Sequence, residues 1–217
     1  MLDILHETKD YIIVNKPSGL ITEKNPYEDS LEDQVYIHLS ETVKNVFLGV
    51  VHRLDRVTSG VVLFAKKKSA LKYFNAQFES KSIQKTYLAV IEGNLVNDKS
   101  SLAHFLRKDH KKKIAVIYET RESNSKPCSL SYKKVKQVNG LSLLEVKPQT
   151  GRFHQIRAQL SYIGNPIFGD EKYDSKNEYL KNQVCLHAWK LKFKDFESED
   201  IIEFSADKPS VSPWNLF

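Results

Sequence analysis

The 217-residue sequence predicts an α+β fold on a mixed, mostly antiparallel sheet. Three observations carry that expectation. Short apolar runs with strand periodicity outnumber helical patterns. The links between them are turn-like, and Asn139-Gly140 between two alternating runs is a strong hairpin signal. The tail then alternates again in "LKFKDF" and "IIEFSA", as an antiparallel pair does. A doubly wound α/β fold needs a helix between successive strands, and the pattern does not supply them.

In chain order, "YIIV" (residues 11–14) reads as a strand stopped by "NKPSG", where Lys16 and Pro17 are expected to fix a loop. Ser30 is placed to cap a helix, with Asp33 three residues on and Leu31, Val35 and Leu39 at helical spacing. Val61–Ala65 reads as a buried strand. A helix follows with Leu71, Phe74 and Phe78 on one face, and then the strand "KTYLAVIEG". Further strands are expected around residues 114–118, at residues 129–138 and in "LSLLEVK". The stretch "TGRFHQIRAQLSYIGNP" predicts a helix capped by Thr150, striped by Phe153, Ile156, Leu160 and Ile163, and ended by Gly164 and Pro166.

With 41% hydrophobic residues the chain can form one domain, residues 1–217, with a substantial core or with two lobes. Its net charge of +6 favours RNA, DNA or an acidic membrane surface as partner, although solvated lysines account for it equally well. Cys128 and Cys185 form no disulfide framework, which points to a reducing compartment and to small core residues. The opening "MLDILHETKD" is too charged for a signal peptide and no apolar run is long enough to span a membrane, so a cytoplasmic protein is expected.

Elimination narrows the chemistry. There is no P-loop, no G-x-G-x-x-G after a strand, no Cys-x-x-Cys and no H-E-x-x-H. His52, His154 and His187 are read as structural rather than as metal ligands, and Ser59-Gly60 lacks the nucleophile elbow of a serine hydrolase. What remains is Asp55, set between Arg53 and Arg56 in "VHRLDRVTSGVVLFAK" at the mouth of a buried strand. To act as base or nucleophile it must be ionised, desolvated and held still, which a paired arginine favours. Arg157, at the border of the helical stripe with no local acid, is either that partner or an ordinary solvent-facing arginine. Thr58 and Gly60 are read as shaping the turn into the strand.

The stretch "HRLDRVTSG" resembles the H-R-L-D-x-x-T-S-G motif of the RluA family of RNA pseudouridine synthases. The similarity extends in order through "DYIIVNKPSGL", "KTYLAVIEG", "TGRFHQIRAQLSYIGNPIFGDEKY" and "VCLHAWKLKF". The resemblance implies a curved sheet in two lobes with an RNA-binding cleft, and an isomerase that turns uridine into pseudouridine with no cofactor and no metal. It implies Asp55 as the catalytic carboxylate and Arg157 as its partner. Tyr87 would stack on the target base, Arg53 would fill the gap left by the flipped uridine, and Leu186 would line the base pocket. The first block begins within the opening residues, so no S4 domain is expected, and the usual "HP" after the final strand is replaced by acidic sequence.

The residue types suit that reaction. A uridine must leave its stack before its glycosidic bond is reachable, and an aromatic platform for the extruded base is worth roughly 1–3 kcal/mol. Asp55 has three routes open: attack on C1′, addition to the base, or removal of the 2′ proton. The C5 proton falls to Tyr87 or to water. Lys111, Lys112 and Lys113, in "RKDHKKKIAV", form either a solvated hairpin or a phosphate-gripping loop. The expected partner is structured RNA, ribosomal or transfer, rather than DNA or membrane, with the protein a monomer. The competing reading is a catalytically silent RNA-binding relative. A glycosidase would want a second acid that these blocks do not offer.

Overall fold

The computed structural model describes residues 2–42 and 44–217. In chain order the strands and helices are β1 (Ile4–Glu7), β2 (Tyr11–Lys16), α1 (Leu31–Ser40), β3 (Gly49–Val50), β4 (Ser59–Ala65), α2 (Lys68–Glu79), β5 (Gln84–Glu92), β6 (Lys99–Asp109), β7 (Ile114–Tyr118), β8 (Lys126–Val138), β9 (Leu141–Pro148), α3 (Gln155–Tyr162), β10 (Leu186–Lys194) and β11 (Ile201–Ser205). The mostly antiparallel sheet with few helices is the expected fold class. Two compact units divide the chain: residues 1–85 with 188–207, and residues 86–187 with 208–217.

In the first unit the strands run β1-β2-β4-β10, with β11 on β10 and β3 on β4. Strand β4 reads "SGVVLFA" and is buried along its whole length, which is why its sequence is a solid apolar run rather than an alternation. Helix α2 packs Ala70 and Phe74 on one face of this sheet, against Tyr11, Leu63 and Phe193. The Phe74 ring meets Tyr11 and Phe193 edge-on, both at 5.4 Å, an arrangement that ring quadrupoles favour. Buried Gln77 completes the joint: its amide donates to the Lys194 carbonyl and accepts from the Lys194 N–H, both at 2.9 Å. The sheet curls far enough for His6 on β1 to stack on Phe204 of β11 at 4.8 Å. Helix α1 starts as expected, with the Ser30 hydroxyl accepting from the Asp33 N–H at 3.0 Å.

In the second unit the order is β5-β9-β8-β6-β7, and each of these neighbouring pairs is antiparallel. Asn139-Gly140 closes the β8–β9 hairpin as expected, and a register shift interrupts that ladder between Lys134 and Lys136. Strand β6 is not legible in "KSSLAHFLRKD", because it carries only one fully buried residue, Leu106. Helix α3 departs from expectation. It begins at Gln155, not after Thr150, because His154 takes a left-handed conformation with φ of 51° that breaks the run. Thr150 instead accepts from the Ser129 N–H and donates to the Gln155 side chain. The helix is also buried all round from Gln155 to Leu160 rather than along one stripe.

Gly60 is the point at which the first unit's sheet tolerates no side chain. Its φ is +117°, and a Cβ there would lie 2.2 Å from the Ala188 carbonyl oxygen of β10. Replacing Gly60 by Ala should therefore cost about 2–5 kcal/mol, adding backbone strain to an overlap with main chain. Urea unfolding measures this directly, and a loss below about 1 kcal/mol would show that the close approach constrains nothing.

Candidate active site

Asp55 lies in the loop between β3 and β4, half-buried, and four consecutive carbonyls around it are held. The Leu54 carbonyl accepts from the Thr22 hydroxyl at 2.9 Å, and the Leu54 N–H donates back to that hydroxyl at 3.2 Å. The Asp55 carbonyl accepts from the Thr58 N–H at 3.0 Å. The Arg56 carbonyl accepts from the Gly19 N–H at 2.8 Å and from Lys16 Nζ at 3.2 Å. The Val57 carbonyl accepts from the Ser18 hydroxyl. A loop normally leaves such groups to water; satisfying all four, three of them from residues 16–22 and one from within the loop, fixes the backbone that carries the carboxylate.

Lys16 is the deepest member of that segment. It ends β2 opposite Gly60 in register, with no exposed surface. Its amine donates to the carbonyls of Pro17 at 2.9 Å, Leu20 at 2.6 Å and Arg56. Burial pulls it down to about 7, against the pull of the Asp55 carboxylate, while Arg56 adds to the depression. The expectation that Lys16 fixes a loop is met, with the Asp55 loop among its acceptors. Arg53, by contrast, is exposed, and its guanidinium donates to Glu23 at 2.7 Å. His52 has the structural role expected of it: its Nε2 accepts from the Leu63 N–H at 3.2 Å, and burial pushes the ring down to about 3, so it is neutral.

The second unit carries the other expected residues. Arg157 projects from α3 and grips Asp170 with two parallel bonds, Nε to Oδ2 at 2.6 Å and Nη2 to Oδ1 at 2.7 Å. Both side chains are almost fully buried, and the guanidinium also lies over the Tyr173 ring at 5.0 Å. The Tyr173 hydroxyl accepts from the Ala115 N–H at 2.7 Å and bonds His154 Nδ1 at 2.9 Å. Burial, with Arg157 next in weight, pushes His154 down to about 3. Arg157 thus has an acid in its own neighbourhood, contrary to the sequence reading. Asp170 was missed because its signal, an acid after glycine in "IFGDEKY", looks like an ordinary turn.

Tyr87 sits half-buried on β5, paired with Val146 of β9. Leu186 opens β10 and is 4% exposed. Its predecessor Cys185 is fixed by main-chain bonds to Phe168 and Val90, and burial pushes its thiol up, opposed by the nearby Tyr179 hydroxyl. Tyr179 also occupies the space beside Gly169, where a Cβ would come within 2.3 Å of its own. One tyrosine therefore packs beside both the Asp170 turn and the strand that presents Leu186. Lys111, Lys112 and Lys113 lie exposed at the β6–β7 turn, whose backbone is held by Asp109 accepting from the Lys111 and Lys112 N–H groups, both at 2.9 Å. Among the described residues no cluster of histidine, cysteine and acidic side chains could hold a metal.

The grip on Arg157 yields a stability prediction. Asp170→Asn keeps the shape but removes the charge that grips a buried guanidinium through two bonds, which should cost about 3–5 kcal/mol. The urea midpoint of the purified variant checks this, and a change of under about 1 kcal/mol would mean that Asp170 does not anchor Arg157.

Comparison with known proteins adds to this geometry. Residues 10–162 match the family model described as RNA pseudouridylate synthase. Ribosomal large subunit pseudouridine synthase D of Borreliella burgdorferi is 32% identical over 90% of this chain and 64% of its own length. The tRNA pseudouridine synthase C of Pectobacterium carotovorum is 31% identical over 88% of this chain and 55% of its own. This chain thus spans under two thirds of the length of these relatives. Human RNA Pseudouridylate Synthase Domain Containing 4 superposes with a TM-score of 0.79 over 95% of this chain and 88% of its own, at 24% identity, a likeness of fold. The match over most of the chain, together with the ordered motifs around Asp55 and Arg157, establishes that the protein belongs to the RNA pseudouridylate synthase family.

Proposed function

We propose that this protein isomerises uridine to pseudouridine in structured RNA, with Asp55 as the catalytic carboxylate acting on a flipped-out nucleotide. The observation that carries the reading is the immobilised loop: an aspartate whose neighbouring carbonyls are all bonded is pre-organised at no further cost when substrate arrives. Family membership and the names of its relatives, which act on large-subunit ribosomal RNA or on transfer RNA, support RNA as the substrate class.

In this reading Arg157 is the partner that keeps the Asp55 carboxylate ionised, and Asp170 orients Arg157 for the task. Tyr87 supplies the platform on which the extruded base stacks, Leu186 an apolar wall of its pocket, and Arg53 the flat cation that stands in the vacated stack. The detached base must turn so that C5 replaces N1 at C1′, which requires walls that retain it without gripping it. Asp55 acts by attack on C1′, by addition to the base, or by taking the 2′ proton, and Tyr87 or water accepts the C5 proton. Lys111, Lys112 and Lys113 would contact phosphate without reading sequence. The reaction needs neither metal nor nucleotide. The protein works as a cytoplasmic monomer, on RNA rather than DNA or membrane. No helix among the described residues is long and apolar enough to cross a membrane.

The test is Asp55→Asn, which keeps the side chain's shape but removes its capacity as nucleophile or base. Tritium release from RNA carrying 5-tritiated uridine should be abolished, a fall of at least about three orders of magnitude, while RNA affinity survives. Near-wild-type turnover in the purified variant would remove Asp55 from the mechanism. RNA binding without tritium release in the unaltered protein would instead support the silent relative.

A further inference from the structure

The segment from Thr22 to Ser30 forms a strap over the Asp55 loop. Its base is closed by a bridge between Ile21 and Ser30 and by main-chain bonds from Leu31 to Ile21 and from Glu32 to Thr22. Buried Thr22 joins it to Leu54 through the reciprocal pair of bonds. Two carboxylates of this strap then meet the two arginines that bracket Asp55: Glu23 accepts from Arg53 at 2.7 Å, and Glu28 pairs with Arg56. Glu28 is itself held by the Asn25 amide at 3.2 Å, and the turn is set by the Asn25 side chain accepting from the Tyr27 N–H at 2.7 Å.

Stability does not explain these pairs. Exposed ion pairs are worth about 0–1 kcal/mol, and Arg53 and Glu23 retain 67% and 47% of their side-chain exposure. For an RNA enzyme of net charge +6, two fixed carboxylates beside the catalytic loop are a cost. A phosphate offers a guanidinium the same kind of paired oxygen acceptor as a carboxylate. A passing strand therefore exchanges like for like at each arginine, and leaves a displaced carboxylate near its own negative charge.

We propose that Glu23 and Glu28 are specificity-determining residues: resident counter-anions that occupy Arg53 and Arg56 and so lower affinity for RNA that lacks the full set of contacts. This rests on the reading that these two arginines meet RNA. A strand that engages one arginine gains little over the resident pair. An RNA that delivers its uridine to Asp55 engages the loop as a whole and displaces both carboxylates.

The experiment is the affinity of the full chain for a short oligouridylate across a salt series, for the unaltered protein, Glu23→Gln, Glu28→Gln, Arg53→Met and Arg56→Met. Each Glu→Gln variant adds one net positive charge facing the strand, so the slope of log affinity against log salt should steepen by about 0.7 and binding should tighten about fivefold near 0.1 M salt. Each Arg→Met variant should flatten the slope by a similar amount. Flattened slopes in the arginine variants with unchanged or weaker binding in the Glu→Gln variants would overturn the proposal and leave the arginines as RNA contacts. Unchanged slopes in the arginine variants would remove both the proposal and the RNA role of Arg53 and Arg56.

Discussion

A lysine amine with no exposed surface sits beneath the Asp55 loop, and the geometry of the candidate site follows from it. Burying an amine is costly unless its donors are used. Lys16 uses three, on the carbonyls of Pro17, Leu20 and Arg56. Two of those acceptors lie in the turn after β2 and the third in the Asp55 loop, so one side chain ties the two segments together. Ser18, Gly19 and Thr22 then extend the same joint to Val57, Arg56 and Leu54. Gly60 completes it, letting the backbone of β10 lie against the start of β4.

The second unit solves a parallel problem with an acid and a base. Arg157 is buried on a helix that is enclosed on all sides, a position that demands a counter-charge and bonds for its planar fork. Asp170 supplies both, and Tyr173 adds an aromatic face whose hydroxyl is in turn fixed by Ala115 and His154. The left-handed turn at His154 that shortens α3 also sets this ring against Tyr173. In each unit a buried cation is satisfied from a neighbouring turn.

Much of this was legible in the sequence where a local rule governs. The Ser30 cap, the Asn139-Gly140 hairpin, the solid apolar run of β4 and the β10–β11 pair follow from side-chain periodicity and turn chemistry. Asp55 stood out because an acid among arginines before a buried strand has no bland structural reason. Strand β6 escaped because one buried residue leaves no pattern to find. The start of α3 was misplaced because Thr150 has the composition of a cap, whereas tertiary bonds to Ser129 and Gln155 claim its hydroxyl. Asp170 and the strap carboxylates belong to pairings across the chain, for which a single sequence carries no local signal.

The central claim is that the Lys16 amine is held in a buried, carbonyl-lined site below the Asp55 loop. Urea unfolding of the unaltered protein and of Lys16→Met, compared across the alkaline range, tests it. Burial lowers the amine from 10.5 to about 7, so between those values the unfolded chain holds a proton that the folded chain does not. Stability then rises with pH across that window in the unaltered protein, and only there does Lys16 contribute to the slope. The stability difference between the two proteins should therefore be level below about pH 7 and widen in favour of the unaltered protein as pH rises toward 10.5. Parallel curves for the two proteins, or a difference that narrows over that range, would contradict the buried site.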